Sequence, residues 1–74
     1  MVIEVVNGYI VECEKTLLNE TGIAEHATIC FKVNASSTTN AYRLVQAYIE
    51  GQGNVSIKGV VKEYPNQPFV GIML

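Results

Sequence analysis

The sequence predicts one small domain of the α+β class, mainly β, with five strands and one helix in the order β-β-β-α-β-β. Three observations predict it. The chain has 74 residues, which is room for a single domain spanning residues 1–74. Apolar and polar residues alternate in several short stretches, as they do in half-buried strands. Only one stretch, in the middle of the chain, has the spacing of an amphipathic helix.

Residues 2–13 predict the first strand. The residues on its apolar face are Ile3, Val5, Tyr9, Val11 and Cys13. The pair Asn7-Gly8 often forms a two-residue hairpin turn, but such a loop would mix the two faces. The alternation survives if the chain bends or bulges at Gly8 and continues as one strand, and it also survives a three-residue loop. We prefer the bent strand, because a glycine inside a strand pattern often marks a bulge or a tight barrel corner.

Two more strands are predicted before the helix. Residues 14–18 form a short second strand that ends at the polar turn 19–22. Residues 27–33 alternate cleanly and predict a half-buried third strand. In this alternation Cys13 points inward and Cys30 outward, so we expect two free thiols instead of a disulfide.

One helix of about three turns is predicted next. Residues 36–39 offer N-caps, helical spacing of apolar residues runs to Ile49, and Gly51 stands where the helix should end.

Two final strands complete the pattern. The fourth begins at Val55 and has Ser56, Lys58 and Lys62 on its polar face. After a proline-rich turn, Phe69 to Leu74 predicts a last strand whose continuous apolarity requires burial on both faces, inside a barrel or in an oligomer.

This order of elements is that of the OB fold, a partly open five-stranded Greek-key barrel. The predicted architecture is therefore a five-stranded OB-like barrel with its helix between strands three and four. Ferredoxin-like folds and parallel βαβ folds need a second helix, which the pattern does not offer.

Two blocks of the sequence resemble the bacterial single-stranded DNA-binding protein and primosomal replication protein group. The block VVNGYIVECEKTLLNETGIAEHATICFKVNAS resembles the group's opening, with a strand containing Gly8, a polar turn at Thr21-Gly22 and an alternating strand. The block AYIEGQGNVSIKGVVKEY resembles its helix end and its V-x-I-x-G strand. The resemblance implies an OB-fold module that binds single-stranded nucleic acid in replication or recombination. The chain departs from the group after Val33, where its segment is shorter, and it has no Trp.

Five residues are candidates for a nucleic-acid-binding surface. Single-strand binders combine a cationic groove with aromatic rings on which bases stack. If the predicted strands are neighbours, four of the five cations gather on one side, close to an aromatic ring. The candidates are Lys15, Lys32, Lys58, Lys62 and Tyr64. The same lysines would also suit a solvated face that keeps sheet edges soluble.

Composition favours a second hypothesis, a small OB-like protein-interaction module that acts as an accessory or inhibitory factor on a larger partner. The formal net charge is −2 and the pI about 5.2, whereas phosphate affinity comes mainly from Lys and Arg. Only 16% of residues are charged, against roughly 25% in an average domain. A surface so poor in charge favours self-association, so we expect a homodimer or larger.

Other function classes find little support. The chain has one His, no Asp and no recognisable nucleophile, so an enzyme is not expected. His26 with the two cysteines does not supply a metal site, and no cofactor is expected. No stretch approaches the roughly 20 apolar residues that span a bilayer, and the start lacks the pattern of a secretory signal. We expect a cytoplasmic protein without membrane contact.

Overall fold

The computed structural model describes residues 5–71. It contains four elements in chain order: β1 (Asn7–Leu18), β2 (Ala24–Ala35), α1 (Thr38–Ile49) and β3 (Val55–Tyr64). The predicted helix is confirmed, and the strand-rich α+β composition agrees with the prediction.

The three strands form one open antiparallel sheet in the order β2-β1-β3. The sheet does not close on itself, so the predicted five-stranded OB-like barrel is wrong. The helix covers one face of the sheet, and the opposite face, which we call the open face, is not covered by a second layer of secondary structure in the described part of the chain.

The predicted first and second strands are one strand. Residues 7–18 pair with β2 without interruption, and Glu14 and Lys15 also pair with β3. Nothing breaks the chain where the sequence pattern suggested a boundary. Gly8 lies within the strand and pairs on both sides, whereas the register shifts occur further along and on the β3 side. Residues 2–4 of the predicted first strand lie outside the described residues.

The predicted last strand is also absent from the part that can be described. Residues 69–71 have no strand structure, and Val70 is 96% exposed. The remainder, residues 72–74, lies outside the described residues. The prediction that this segment is buried on both faces is therefore wrong for Val70. The segment instead crosses the open face, as described below.

The turn between β1 and β2 is held by the Asn19 side chain at its start and by Gly22 near its end. The Asn19 side-chain oxygen accepts hydrogen bonds from the Thr21 backbone N–H at 3.0 Å, the Thr21 hydroxyl at 2.7 Å and the Ile23 N–H at 3.0 Å. Gly22 follows with a φ of 80°, a conformation that glycine adopts without steric cost. One asparagine thus fixes the turn that sets the register of both long strands.

Helix α1 begins and ends where capping chemistry predicts. The Ser37 hydroxyl accepts a hydrogen bond from the Asn40 N–H at 3.2 Å, an N-cap contact. Gly51, just beyond the C-cap, has a φ of 88°. Within residues 5–71, no helix is both long and apolar enough to cross a membrane.

The core lies between α1 and the face of the sheet formed by odd-numbered residues of β1 and β2. The chain alternates on both strands, so every second side chain reaches this layer. The buried members are Tyr9, Val11, Cys13, Val33, Ala35, Ala41, Val45 and Ile49. Partly buried side chains of β2 and β3 extend the layer to its edges.

The two thiols are free and lie on opposite faces, as the alternation predicted: Cys13 is buried and Cys30 exposed. Burial raises the pKa of the Cys13 thiol, and the nearby Cys30 adds to the effect. Since the thiolate is the reactive form, we expect Cys30 alone to react quickly with a thiol reagent in the native protein. Mass spectrometry should show one label per native chain and two after denaturation, and a native Cys30→Ser variant should stay unlabelled. Rapid labelling of Cys13 in the native state would contradict this packing.

Candidate nucleic-acid interface

The segment after β3 turns back across the open face. Phe69 donates its backbone N–H to the Asn34 side-chain oxygen at 2.7 Å, and its carbonyl accepts from the Asn34 side-chain amide at 2.8 Å. The Asn66 N–H donates to the Asn7 side-chain oxygen at 2.8 Å. Two asparagine side chains therefore hold this segment where a strand ladder would otherwise be needed, which explains why it is ordered over the sheet without being a strand.

Gly8 makes room for this path. A Cβ at Gly8 would lie 2.8 Å from the Gln67 carbonyl oxygen and 3.1 Å from the nearest carbon of the Phe69 ring. Distances this short would force the segment to move. A glycine inside the strand here serves the close approach of another part of the chain, and it is neither a hairpin turn nor a barrel corner.

Two aromatic rings and two lysines lie close together on the open face. The Phe69 and Tyr64 ring centroids are 5.5 Å apart at an interplanar angle of 72°, an edge-to-face contact. The Lys32 Nζ lies 5.5 Å from the Phe69 centroid, and the Lys62 Nζ lies 5.6 Å from the Tyr64 centroid. We call these four residues, Lys32, Phe69, Tyr64 and Lys62, the open-face cluster.

The sheet register places the cluster. Ile10 of β1 pairs with Lys32 on one side and Lys62 on the other, so both lysines flank one apolar residue of the central strand. In the next row, Gly8 pairs with Asn34 and with Tyr64. Phe69 lies over Gly8. Two successive cross-strand rows thus bring together residues from both outer strands and the returning segment.

The other end of the open face is acidic. Glu12 and Glu14 continue the β1 row beyond Ile10. A Glu12 carboxylate oxygen is 3.5 Å from the Lys58 Nζ, and a Glu14 carboxylate oxygen is 2.7 Å from the His26 Nδ1. Among residues 5–71, Lys32 and Lys62 at the Gly8 end of the face have no carboxylate within 4 Å, whereas Glu12 and Glu14 lie at the other end.

Three of the five predicted site residues meet in this cluster: Lys32, Lys62 and Tyr64. Lys58 does not, because β3 has a bulge at that position: Glu12 pairs with Gly59 and Cys13 with Ile57, which leaves Lys58 between them. The Lys58 ammonium group forms an ion pair with the Glu12 carboxylate, and Lys58 also lines a groove between β3 and α1.

Lys15 lies away from the cluster as well. It pairs with Ala27 and Val55, towards the hairpin end of the sheet. Its position in the alternation is that of Cys13, so it belongs to the face opposite the open one.

Phe69 is the functional candidate that sequence reasoning missed. Its apolar surroundings assigned it to a buried strand. The signal that points to it is the combination of Gly8 inside a strand with a proline-rich turn directly after β3, because the first leaves space on the sheet and the second reverses the chain.

Comparisons of the chain with protein-family models, with curated proteins and with solved structures find no match.

Proposed function

We propose that the protein binds single-stranded nucleic acid on the open face of its sheet, without enzymatic activity. The observation that carries the proposal is the open-face cluster, in which two aromatic rings are in edge-to-face contact and each has a lysine ammonium group nearby. Unpaired bases offer flat π-faces to such rings, and phosphates offer negative charge to the lysines. The proposal does not depend on a barrel, since a flat sheet with exposed rings can hold unstacked bases in the same way.

The chemistry favours single strands over duplexes. Phe69 and Tyr64 are half-buried rings on the open face, and bases inside a duplex expose only their edges. A double helix would therefore contact the cluster through phosphates alone. The low net charge makes that contact weak, so stacking is the part of the interaction that distinguishes the two nucleic acids.

A cytoplasmic location agrees with this proposal. Cys30 is an exposed free thiol, and exposed thiols persist in the reducing cytoplasm.

Salt dependence is the first test. Each phosphate contact on a single strand contributes about 0.7 to the slope of log affinity against log salt, so two lysines should give a slope of about −1.4. Fluorescence anisotropy with a labelled oligonucleotide at several salt concentrations measures it. We expect Lys32→Ala and Lys62→Ala each to reduce the slope by about 0.7.

Lys15→Ala is the matched control, because it removes one cation from the opposite face. It should leave affinity and slope close to those of the wild-type protein. No binding at low salt, where attraction is least screened, would overturn the proposal and leave the protein-interaction hypothesis. An equal effect of all three substitutions would show that net charge, and not the open-face cluster, determines binding.

A further inference from the structure

The two edges of the sheet differ in a way that points to a partner. Strand β3 has two bulges, at Lys58 and at Val61, which interrupt its pairing with β1. Bulges and lysines are the devices that keep an edge strand from pairing with another chain. Strand β2 has no bulge, since its twelve residues pair with β1 in continuous register, and its one lysine, Lys32, lies towards one end. The β3 edge is therefore protected, while the β2 edge is a regular template for a further strand.

The hydrogen-bonding groups of β2 are directed for such pairing. The Asn19 N–H bonds to the Ile23 carbonyl at the hairpin end. In an antiparallel ladder these bonds recur at every second residue. Odd-numbered residues of β2 therefore bond to β1, and even-numbered ones, among them Thr28, direct N–H and C=O away from the sheet.

An apolar patch on α1 adjoins this edge. Leu44 is 42% exposed and Tyr48 54% exposed. The Tyr48 ring contacts Phe31 of β2 edge-to-face at 5.4 Å between centroids, and Leu44 lines a pocket with Asn34 and Ala35 at the end of β2. Both side chains thus lie on the β2 side of the helix, so a partner on the β2 edge would cover them too.

We propose that β2 pairs antiparallel with β2 of a second copy of this chain, about a two-fold axis near Ile29. This arrangement makes a six-stranded sheet with both helices on the same side, because residues that pair directly share a face. Tyr48, which packs on Phe31 close to the axis, then faces the same residue of the partner. Leu44, at the Asn34–Ala35 end of β2, lies over the hairpin end of the partner's β2. A two-fold contact uses one surface twice, so the β2 edge meets the same edge of the partner.

Charge distribution along β2 favours this pairing. The stretch 27–31 carries no charged residue, while Glu25 lies towards one end and Lys32 towards the other. Antiparallel pairing about Ile29 pairs this uncharged stretch with itself and places Lys32 opposite His26 of the partner subunit. Parallel pairing would place Lys32 beside Lys32. The dimer also carries two open-face clusters on one continuous sheet.

Light scattering after size-exclusion chromatography, at high micromolar concentration, tests the proposal. We expect a mass of about twice the 8.1 kDa of one chain. Thr28→Pro removes an outward N–H from the edge, and Tyr48→Lys places a charge close to the two-fold axis. Each should weaken dimerisation by about tenfold or more and leave the circular dichroism of the folded chain unchanged.

Val61→Lys is the matched control, because Val61 is a 53% exposed apolar residue on the protected edge. This variant should remain a dimer. A monomeric wild-type protein would overturn the proposal. So would a dimer that persists in both Thr28→Pro and Tyr48→Lys, or one that only Val61→Lys dissociates. None of these measurements involves nucleic acid, so their outcome is independent of the proposed function.

Discussion

Tyr64→Ala and Phe69→Ala are each expected to weaken binding of single-stranded DNA by about 5- to 150-fold. The expectation follows from stacking, since removing an aromatic platform costs about 1–3 kcal/mol per base, and about 1.4 kcal/mol corresponds to a tenfold change in affinity. The two rings touch each other, so the double variant should lose less than the sum of the two single effects. Anisotropy titration at a fixed low salt concentration measures all three.

Ring-retaining substitutions separate stacking from general packing. Tyr64→Phe and Phe69→Tyr keep the π-face and should bind within a few-fold of wild type, whereas Tyr64→Leu keeps apolar bulk and should bind weakly. The salt slope of every aromatic variant should match wild type, because no cation is removed. Wild-type affinity in both alanine variants would contradict stacking on the open face, even if lysine substitutions still reduced binding.

Gly8→Ala is expected to destabilise the protein by about 1–3 kcal/mol, the usual cost of forcing extra atoms into a packed site. The added methyl would collide with the Gln67 carbonyl and the Phe69 ring. Relief requires the returning segment to lift, which strains its two hydrogen bonds to Asn34. The same movement displaces Phe69 from Tyr64, so affinity for single strands should fall together with stability. Urea denaturation and anisotropy measure the two effects.

Gly53→Ala controls for the loss of a glycine as such, because a Cβ there meets no atom within 4 Å. It should change stability by less than about 0.5 kcal/mol. In the double variant Gly8→Ala/Phe69→Ala, the ring is absent and part of the destabilisation should be recovered, although the Gln67 carbonyl remains in place. Unchanged stability and binding in Gly8→Ala would show that the segment does not lie over Gly8.

The helix and the faces of the long strands were predictable because their signals are local. Ser37 and Gly51 sit at fixed distances from an apolar helical stretch. The parity of Cys13 and Cys30 follows from alternation alone. These features depend on residues within a few positions of one another, which a pattern can capture.

The number of strands was not predictable in the same way. Residues 14–18 alternate like the residues before them, and nothing local distinguishes a new strand from the continuation of an old one. The bulge at Lys58 adjoins Gly59, and a glycine inside a strand allows a bulge without showing whether one forms. Phe69 is held by Asn34, which is 35 residues away in sequence, and hydrophobic periodicity carries no information about such a contact.

The position of β1 in the middle of the sheet sets the order in which the molecule can be assembled. Its pairing with β2 begins across a short turn, whereas its pairing with β3 joins Lys15 to Val55 and Gly8 to Tyr64. The chain segment between β1 and β3 is long, and such a segment closes slowly because its conformational entropy is lost before the distant contacts form. During synthesis, the β1–β2 hairpin can form early, but one side of β1 stays unpaired until residues 55–64 have left the ribosome. A truncated chain ending before Val55 should therefore expose an aggregation-prone strand that the full chain conceals.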